Sequence, residues 1–247
     1  MAGQSVQKVE NDSSTNGGSA GGDKKNTGIE VGDKSKDTHH TYKVFYYKDT
    51  IFTTVTHRAS VVDQWLADLY KQYTKQSCCV ADKRCLIFQF AYCDQVPKSL
   101  KDFLGNDKFI FVGSGVHADA YKLMVDHGLM VARTEELGSL AAYKLAGTFK
   151  DYRDSRLHKT GLKNLVKDVL QQDLPKRRYL LSNWERGVLR DEQIEYACLD
   201  AFVSYKLGVD LMRRAKNNNR QPEMVLKDSE FPELKKAVEE KTKRQVL

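Results

Sequence analysis

The chain has 247 residues, of which 40% are hydrophobic and 30% are charged, and its formal net charge is +7. This length supports one sizeable domain with its own core, together with terminal extensions. Five cysteines without CxxC spacing argue against a disulfide framework or a zinc site and favour a reducing compartment. The sequence shows no apolar run long enough for a membrane helix and no secretory signal, so we expect a nuclear or cytoplasmic protein that is not secreted.

The two ends of the chain are polar. Residues 1–38 are rich in Gly, Ser, Asn, Asp and Lys and offer little surface to bury, so we predict a disordered N-terminal tail. Residues 213–247 are strongly charged, and we predict that they are largely disordered as well. The segment between the tails, residues 41–212, is predicted to form one domain.

Strand and helix patterns alternate within that domain. The runs YKVFYYK and IFTTVTH predict an antiparallel hairpin, and Ser60 caps a helix whose apolar positions recur as far as Tyr73. The runs SCCVA, RCLIFQF, KFIFVGSG and LMVAR predict further strands, and VHADAYKLMVDHG predicts a helix. Later helices are predicted near residues 135–146, 161–171 and 190–214. This alternation predicts an α/β fold with a mixed sheet.

The strand-to-helix step FIFVGSGVHADAYKL is the first candidate for chemistry. Its glycines, Gly113 and Gly115, suit a phosphate-binding loop, but the step has neither a GK[ST] nor a GxGxxG pattern. A tight turn is therefore the favoured interpretation. Asp119 lies in the first turn of the following helix, where the helix dipole stabilises a carboxylate without any catalytic role.

The segment EQIEYACLDAF is the second candidate. It places Tyr196 and Asp200 four residues apart on a predicted helix, so their side chains share one face. Ala197 and Ala201 keep the neighbouring surface thin, which lets another element approach closely. A carboxylate on such a face can hold a divalent metal ion, and a tyrosine hydroxyl one turn away can orient a water molecule. Taken alone, the pair is also compatible with a structural role.

Three segments in order, FVGSGVHADAYKL, GLKNLVKDVL and LSNWERGVLRDEQIEYACLDAF, resemble the DEDD 3′–5′ exonucleases of the DnaQ-like, or ribonuclease H-like, fold. The resemblance is to the Werner-exonuclease-like branch with the DEDDy signature, in particular to small plant members that share DTIFTTVTHRASVVDQWLADL and RCLIFQF. It covers residues 41–210 with one gap. It implies a mixed sheet flanked by helices and metal-dependent hydrolysis of 3′-terminal nucleotides from single-stranded or 3′-overhang DNA or RNA.

The resemblance also implies roles for particular residues. In the family, four carboxylates hold two divalent ions, Mg²⁺ or Mn²⁺, about 4 Å apart. Two of these carboxylates come from a DxE motif on the first, central strand. The other two correspond here to Asp119 and Asp200, and Tyr196 corresponds to the residue that positions the attacking water. His117 stands where the family usually carries a glutamate.

The DxE motif and its strand are missing from this chain. The family carries them after the first helix, but here that helix is followed directly by TKQSCCVADKRCLIFQF, so the first central strand is predicted to be absent. Asp82 has no glutamate two residues later. The DxE at Asp228-Ser229-Glu230 lies in the charged C-terminal tail and would enter the sheet from the wrong end of the chain. We therefore predict that neither replaces the missing pair.

This loss changes the expected function. Two divalent ions carry four positive charges, whereas Asp119 and Asp200 supply two negative ones, so we expect weak metal binding and weak or absent hydrolysis. One alternative is a catalytically inactive pseudo-exonuclease that binds nucleic acid or a protein partner. Another is a non-functional product of exon skipping or of an incorrect gene model.

Three smaller features carry predictions of their own. The basic cluster LPKRRYLL, residues 174–181, is equally compatible with a nucleic-acid contact and with a solvated loop. Trp184 is predicted to pack as core beside the long helix rather than to stack on bases. His39 and His40 lie beside the predicted N-terminal tail, and we do not expect them to bind a metal ion.

The missing strand also predicts low stability, because its neighbours lose a pairing partner and leave backbone groups unpaired. A variant with the DxE strand restored should therefore melt at a clearly higher temperature than the present chain. Thermal unfolding followed by circular dichroism tests this, and equal melting temperatures would contradict it.

Overall fold

The computed structural model describes residues 26–34, 37–75, 83–145, 156–175 and 182–214. The strands are β1 Thr27–Val31, β2 His39–Tyr46, β3 Asp49–Thr56, β4 Arg84–Phe88, β5 Phe111–Gly113 and β6 Thr134–Glu136. The helices are α1 Ala59–Lys75, α2 Lys98–Leu104, α3 Val116–His127, α4 Leu137–Leu145, α5 Leu162–Leu165 and α6 Asp191–Arg213. Short 3₁₀ turns cover Phe90–Tyr92 and Arg156–Lys159, and a π-helical turn over Val166–Leu170 extends α5. The predicted strand SCCVA, the tail DxE and most of the basic cluster fall outside the described residues.

The described strands form two separate sheets. The larger sheet has the order β1-β2-β3-β4, in which the first two pairings are antiparallel and the β3–β4 pairing is parallel. The smaller sheet is the parallel pair β5–β6, only three residues long. Within the part of the chain that is described, β4 and β5 do not pair with each other. The predicted mixed α/β architecture and the β2–β3 hairpin are confirmed. In place of one mixed sheet, however, the described strands form two.

Strand β1 corrects the predicted start of the folded domain. Residues 27–31 were expected to belong to the disordered tail, but they pair antiparallel with β2, from Thr27 opposite Tyr46 to Val31 opposite Tyr42. Ile29 explains why these residues are ordered as a strand, because its side chain packs against buried residues of the core. His39 and His40 consequently lie within strand β2. The sequence signal was weak because the strand has few apolar residues, of which Ile29 is partly buried and Val31 is exposed.

The predicted strand LMVAR is also corrected. Residues 129–133 are not a strand, and β6 begins directly after them at Thr134. Leu129 is fully buried in a cluster with Val62, Leu66 and Leu100, so this apolar run packs against α1 and α2 instead of pairing in a sheet. The chain then turns into β6, whose Thr134 lies opposite Phe111 of β5.

Helix α6 lies between the two sheets and contacts both. Its buried side chains, which include Cys198, Phe202 and Leu207, share the main core with residues of β2, β3 and β4. At Gly208, a Cβ atom would come within 2.8 Å of the Val112 side chain in β5, so the absence of a side chain allows this close approach. None of the helices in the described ranges combines the length and hydropathy needed to span a bilayer.

A nearly buried carboxylate also joins α6 to the larger sheet. Asp49, at the start of β3, accepts a hydrogen bond from Lys206 of α6 at 2.9 Å and pairs with Lys83 at 3.0 Å. Burial of Asp49 favours its neutral form, but the two ammonium groups outweigh this effect, and the pKa of the carboxyl group lies below its usual range. The ion pair therefore stabilises the charged form at the place where α6 meets the hairpin.

Replacing Asp49 with alanine should lower the free energy of unfolding by about 2–3 kcal/mol, because Lys206 is left half-buried without its partner. The matched control is Asp210→Ala, which removes an exposed pair with Arg214 on the same helix and should cost at most about 0.5 kcal/mol. Urea unfolding measures both. Because the Asp49 pKa is lowered on folding, its contribution is present above the unfolded value of 3.8 and is lost as the pH falls through the lower folded value. Equal losses in the two variants would contradict this role.

Candidate functional site

The start of helix α6 is organised by a buried glutamine. Gln193 is 1% exposed, and its side-chain oxygen accepts a hydrogen bond from the Arg190 backbone N–H at 3.0 Å. Its amide nitrogen donates to the Ser182 hydroxyl and to the Asn183 carbonyl, both at 3.0 Å. Gln193 therefore caps the helix and at the same time fixes the segment that leads to Trp184.

Two further contacts hold this segment to the end of β4. The Gln89 side chain donates to the Arg186 carbonyl at 3.2 Å, and the Tyr92 hydroxyl donates to the Glu185 carbonyl. Backbone carbonyls of an irregular segment are thus satisfied by side chains that follow the end of β4. The segment before α6 is consequently held by Gln193 of the helix and by Gln89 and Tyr92 beyond β4.

Tyr196 and Asp200 lie on this part of α6, and Trp184, in the segment before the helix, lies next to Tyr196. Tyr196 and Asp200 are half-buried, and the Tyr196 ring centroid lies 6.0 Å from that of Trp184. The two helical residues lie on the side of α6 opposite Cys198, which packs against the sheet. Trp184 was predicted to be core, but it is 36% exposed.

Asp119 lies in the first turn of α3, directly after the glycine turn. Gly115 has a φ angle of 82°, in the left-handed region that glycine adopts at little cost. The Gly115 and Val116 N–H groups donate to a carboxylate oxygen of Glu136 in β6, at 2.8 and 3.2 Å. The N–H groups that a phosphate-binding loop would offer to a phosphate are therefore bonded to the carboxylate of Glu136.

His117 strengthens the same attachment. Its Nδ1 shares a hydrogen bond of 2.9 Å with the Thr134 hydroxyl of β6. Glu136 and His117 together hold the first turn of α3 against β6. The departure from the family's usual glutamate at this position thus has a structural role. Glu136 itself was missed by the sequence reasoning, because its contact joins elements about twenty residues apart and leaves no local pattern.

Local charge and burial distinguish Asp119 from its neighbours on α3. Asp119 is exposed as a residue, yet the protein around its carboxyl group removes part of its hydration and raises its pKa. One turn later, the hydrogen bond to Asp126 raises the pKa of Lys122, and the charge of Glu185 adds to the effect. This interaction with Glu185 shows that α3 and the segment before α6 are neighbours.

The described acidic side chains do not assemble a complete metal centre. Among the described residues, no group of three or more His, Cys, Asp or Glu side chains could hold a metal ion. Asp119 and Asp200 offer two carboxylates, whereas hard divalent ions prefer about six oxygen ligands. This donor set therefore does not fit a pair of divalent ions.

The fold and these motifs define the class of protein. A family of domains described as 3′–5′ exonuclease matches residues 64–216, which is more than half of the chain. The chain therefore belongs to this 3′–5′ exonuclease family. Membership confirms the predicted resemblance and, together with the α/β architecture, the ribonuclease H-like fold class.

Individual relatives support the same assignment. A 3′–5′ exonuclease of Arabidopsis thaliana is 32% identical over 124 residues, which are 47% of this chain and 40% of the relative. The exonuclease 3′–5′ domain-containing protein 2 of Drosophila melanogaster is 34% identical over 131 residues, covering 52% of this chain and 20% of the relative. The chain thus spans two fifths or less of the length of these relatives.

A solved structure is also similar in sequence. The EXD2 exonuclease domain, crystallised and soaked in Mg and GMP, is 23% identical, and the match covers 65% of this chain and 88% of that domain. Its TM-score is 0.34, so the two backbones superpose poorly.

Replacing Glu136 with alanine should destabilise the domain by about 1–2 kcal/mol, because two N–H groups lose a charged acceptor. Glu136→Gln, which keeps one acceptor oxygen, should cost less. The control is Glu135→Ala on the same strand. Urea unfolding measures stability, and amide hydrogen exchange should be accelerated at Gly115 and Val116 in the alanine variant. A Glu136→Ala variant that behaves like Glu135→Ala would contradict this role.

Proposed function

We propose that this chain binds the 3′ ends of nucleic acids through the surface formed by Trp184, Tyr196 and Asp200, and that its hydrolysis of 3′-terminal nucleotides is weak or absent. The observation that carries the proposal is that the exposed Trp184 ring lies beside the half-buried Tyr196, on the helix that also carries Asp200. Among the described residues, no group of three or more side chains could hold a metal ion. The surface is suited to binding, and the donor set is insufficient for efficient catalysis.

The aromatic pair supports the binding half of the proposal. An exposed indole can stack on an unpaired base, and such stacking contributes about 1–3 kcal/mol per base without requiring a particular sequence. The net charge of +7 favours a polyanionic ligand. Tyr196 and Asp200 lie one helical turn apart beside that ring, where a strand end stacked on Trp184 would be within reach. This arrangement favours single-stranded or 3′-overhang DNA or RNA as the ligand.

The carboxylates support the catalytic half of the proposal. Asp119 and Asp200 are the residues of this chain that would hold a divalent ion such as Mg²⁺ or Mn²⁺. With only two such ligands, affinity for a correctly spaced ion pair is low. Loss of members of a catalytic unit that act together typically reduces the rate by several orders of magnitude.

A second candidate function is binding to a protein partner without any catalytic role, as a pseudo-exonuclease. The exposed apolar side chains of Val188 and Trp184 favour it, because they lie in one segment before α6. For both candidates we propose a location in the nucleus or cytoplasm.

Binding and cleavage should be measured separately on end-labelled single-stranded and 3′-overhang DNA and RNA, with Mg²⁺ or Mn²⁺. We expect retention of the labelled strand with little or no shortening from the 3′ end. Trp184→Ala should weaken binding roughly five- to fiftyfold because a stacking surface is lost. The control, Val188→Ala, removes a more exposed apolar side chain from the same segment and should leave affinity unchanged.

Three results would change this conclusion. Efficient shortening of the strand from the 3′ end that disappears in Asp200→Ala would show an active exonuclease. It would contradict the proposal that hydrolysis is weak or absent. Absence of binding to every strand tested would reject nucleic acid as the ligand and favour the protein-partner alternative. Equal affinities of Trp184→Ala and Val188→Ala would exclude Trp184 as the contact.

A further inference from the structure

Two buried cysteines meet where α6 packs against the larger sheet. Cys85 lies on β4 and is 9% exposed, and Cys198 lies on α6 and is fully buried. Both are free thiols. The other free cysteine in the described ranges, Cys93, is more accessible and lies beyond the end of β4. The nuclease chemistry discussed above makes no use of either buried thiol.

The contacts around these two thiols define one compact cluster. Thr53 of β3 is the direct neighbour of Cys85 in the parallel β3–β4 pairing. The Thr53 hydroxyl donates a hydrogen bond to the Cys198 sulfur at 3.1 Å. Cys85 and Cys198 therefore both adjoin Thr53 and belong to the same cluster of packed core residues. A disulfide requires such a close approach of two side chains from adjacent backbones.

We propose that Cys85 and Cys198 form a dithiol site that is oxidised to an intramolecular disulfide by hydrogen peroxide. In the first step, one sulfur attacks a peroxide oxygen, which gives a sulfenic acid and releases water. The second thiol then attacks the sulfenic sulfur, forms the S–S bond and releases a second water. Two thiols are oxidised, one peroxide is reduced, and both thiol protons leave in the two water molecules.

The cross-link would join two elements that are distant in sequence. Cys85 and Cys198 enclose 112 intervening residues, so the bond would strongly restrict the unfolded chain. It would also fasten β4 to the helix that carries Tyr196 and Asp200. The site needs no metal ion and no nuclease activity, and it therefore stands independently of the proposed function.

The accessibility of the thiols and the proximity of Cys85 to Cys198 predict different oxidation products, which makes the proposal testable. Peroxide reaches Cys93 more easily than either buried thiol, so accessibility alone predicts oxidation of Cys93 first. Proximity predicts that the stable product is the Cys85–Cys198 disulfide, because the first sulfenic acid has a thiol beside it. Oxidation should be slow, since the oxidant enters only when α6 and the sheet separate locally.

The experiment treats the full, unmutated chain with hydrogen peroxide, alkylates the remaining thiols in denaturant, and identifies cross-linked peptides by mass spectrometry without reduction. We expect one predominant intramolecular linkage, between Cys85 and Cys198. The oxidised chain should melt roughly 5–10 °C higher than the reduced chain, and dithiothreitol should reverse the shift. Cys198→Ala should abolish both the linkage and the shift, whereas Cys93→Ser should preserve both.

The contrary results are equally specific. Complete alkylation of Cys85 and Cys198 after Cys93 has been oxidised would overturn the proposal. Predominant linkage of either residue to Cys78, Cys79 or Cys93 would overturn it too. Because the linkage is read on the unmutated chain, poor folding of a cysteine variant would not obscure the outcome.

Discussion

The packing of helix α6 between two unpaired sheets is the interaction on which the rest of the structure depends. The β3–β4 edge of the larger sheet and the short β5–β6 pair share no backbone hydrogen bonds within the described ranges. Helix α6 contacts both, with Cys198 against Thr53 on one side and Gly208 against Val112 on the other. Side-chain burial along this helix therefore substitutes for the continuous hydrogen bonding of a complete sheet.

The same helix fixes two of the side chains that the family resemblance predicted to be catalytic. Tyr196 and Asp200 keep their positions because the opposite side of α6 is fixed in the core by residues such as Cys198. Asp119 keeps its position for a different reason, since Glu136 and His117 hold the first turn of α3 to β6. Each residue is thus supported by local packing that does not involve the missing strand.

The sequence predicted correctly the features that depend on residues close together in the chain. The four-residue spacing of Tyr196 and Asp200 dictates a shared helical face, and the first-turn position of Asp119 follows from the glycine turn before it. It failed where a residue's role is set by a distant neighbour. Residues 129–133 have the composition of a strand, but Leu129 is buried against α1 and α2. Trp184 has the composition of a core residue, but its segment is held at the surface by Gln193.

The sequence by itself determined the family, the β2–β3 hairpin and the lack of a DxE motif after the first helix, because these properties depend on residue identity and spacing. Only the tertiary structure decided that β4 and β5 stay unpaired, that Glu136 occupies the N–H groups of the glycine turn, and that Cys85 meets Cys198. These contacts join elements that are distant in sequence, and Cys85 and Cys198 have 112 residues between them. Which distant side chains meet depends on how helices and sheets pack to bury apolar surface, and a linear pattern does not encode that geometry locally.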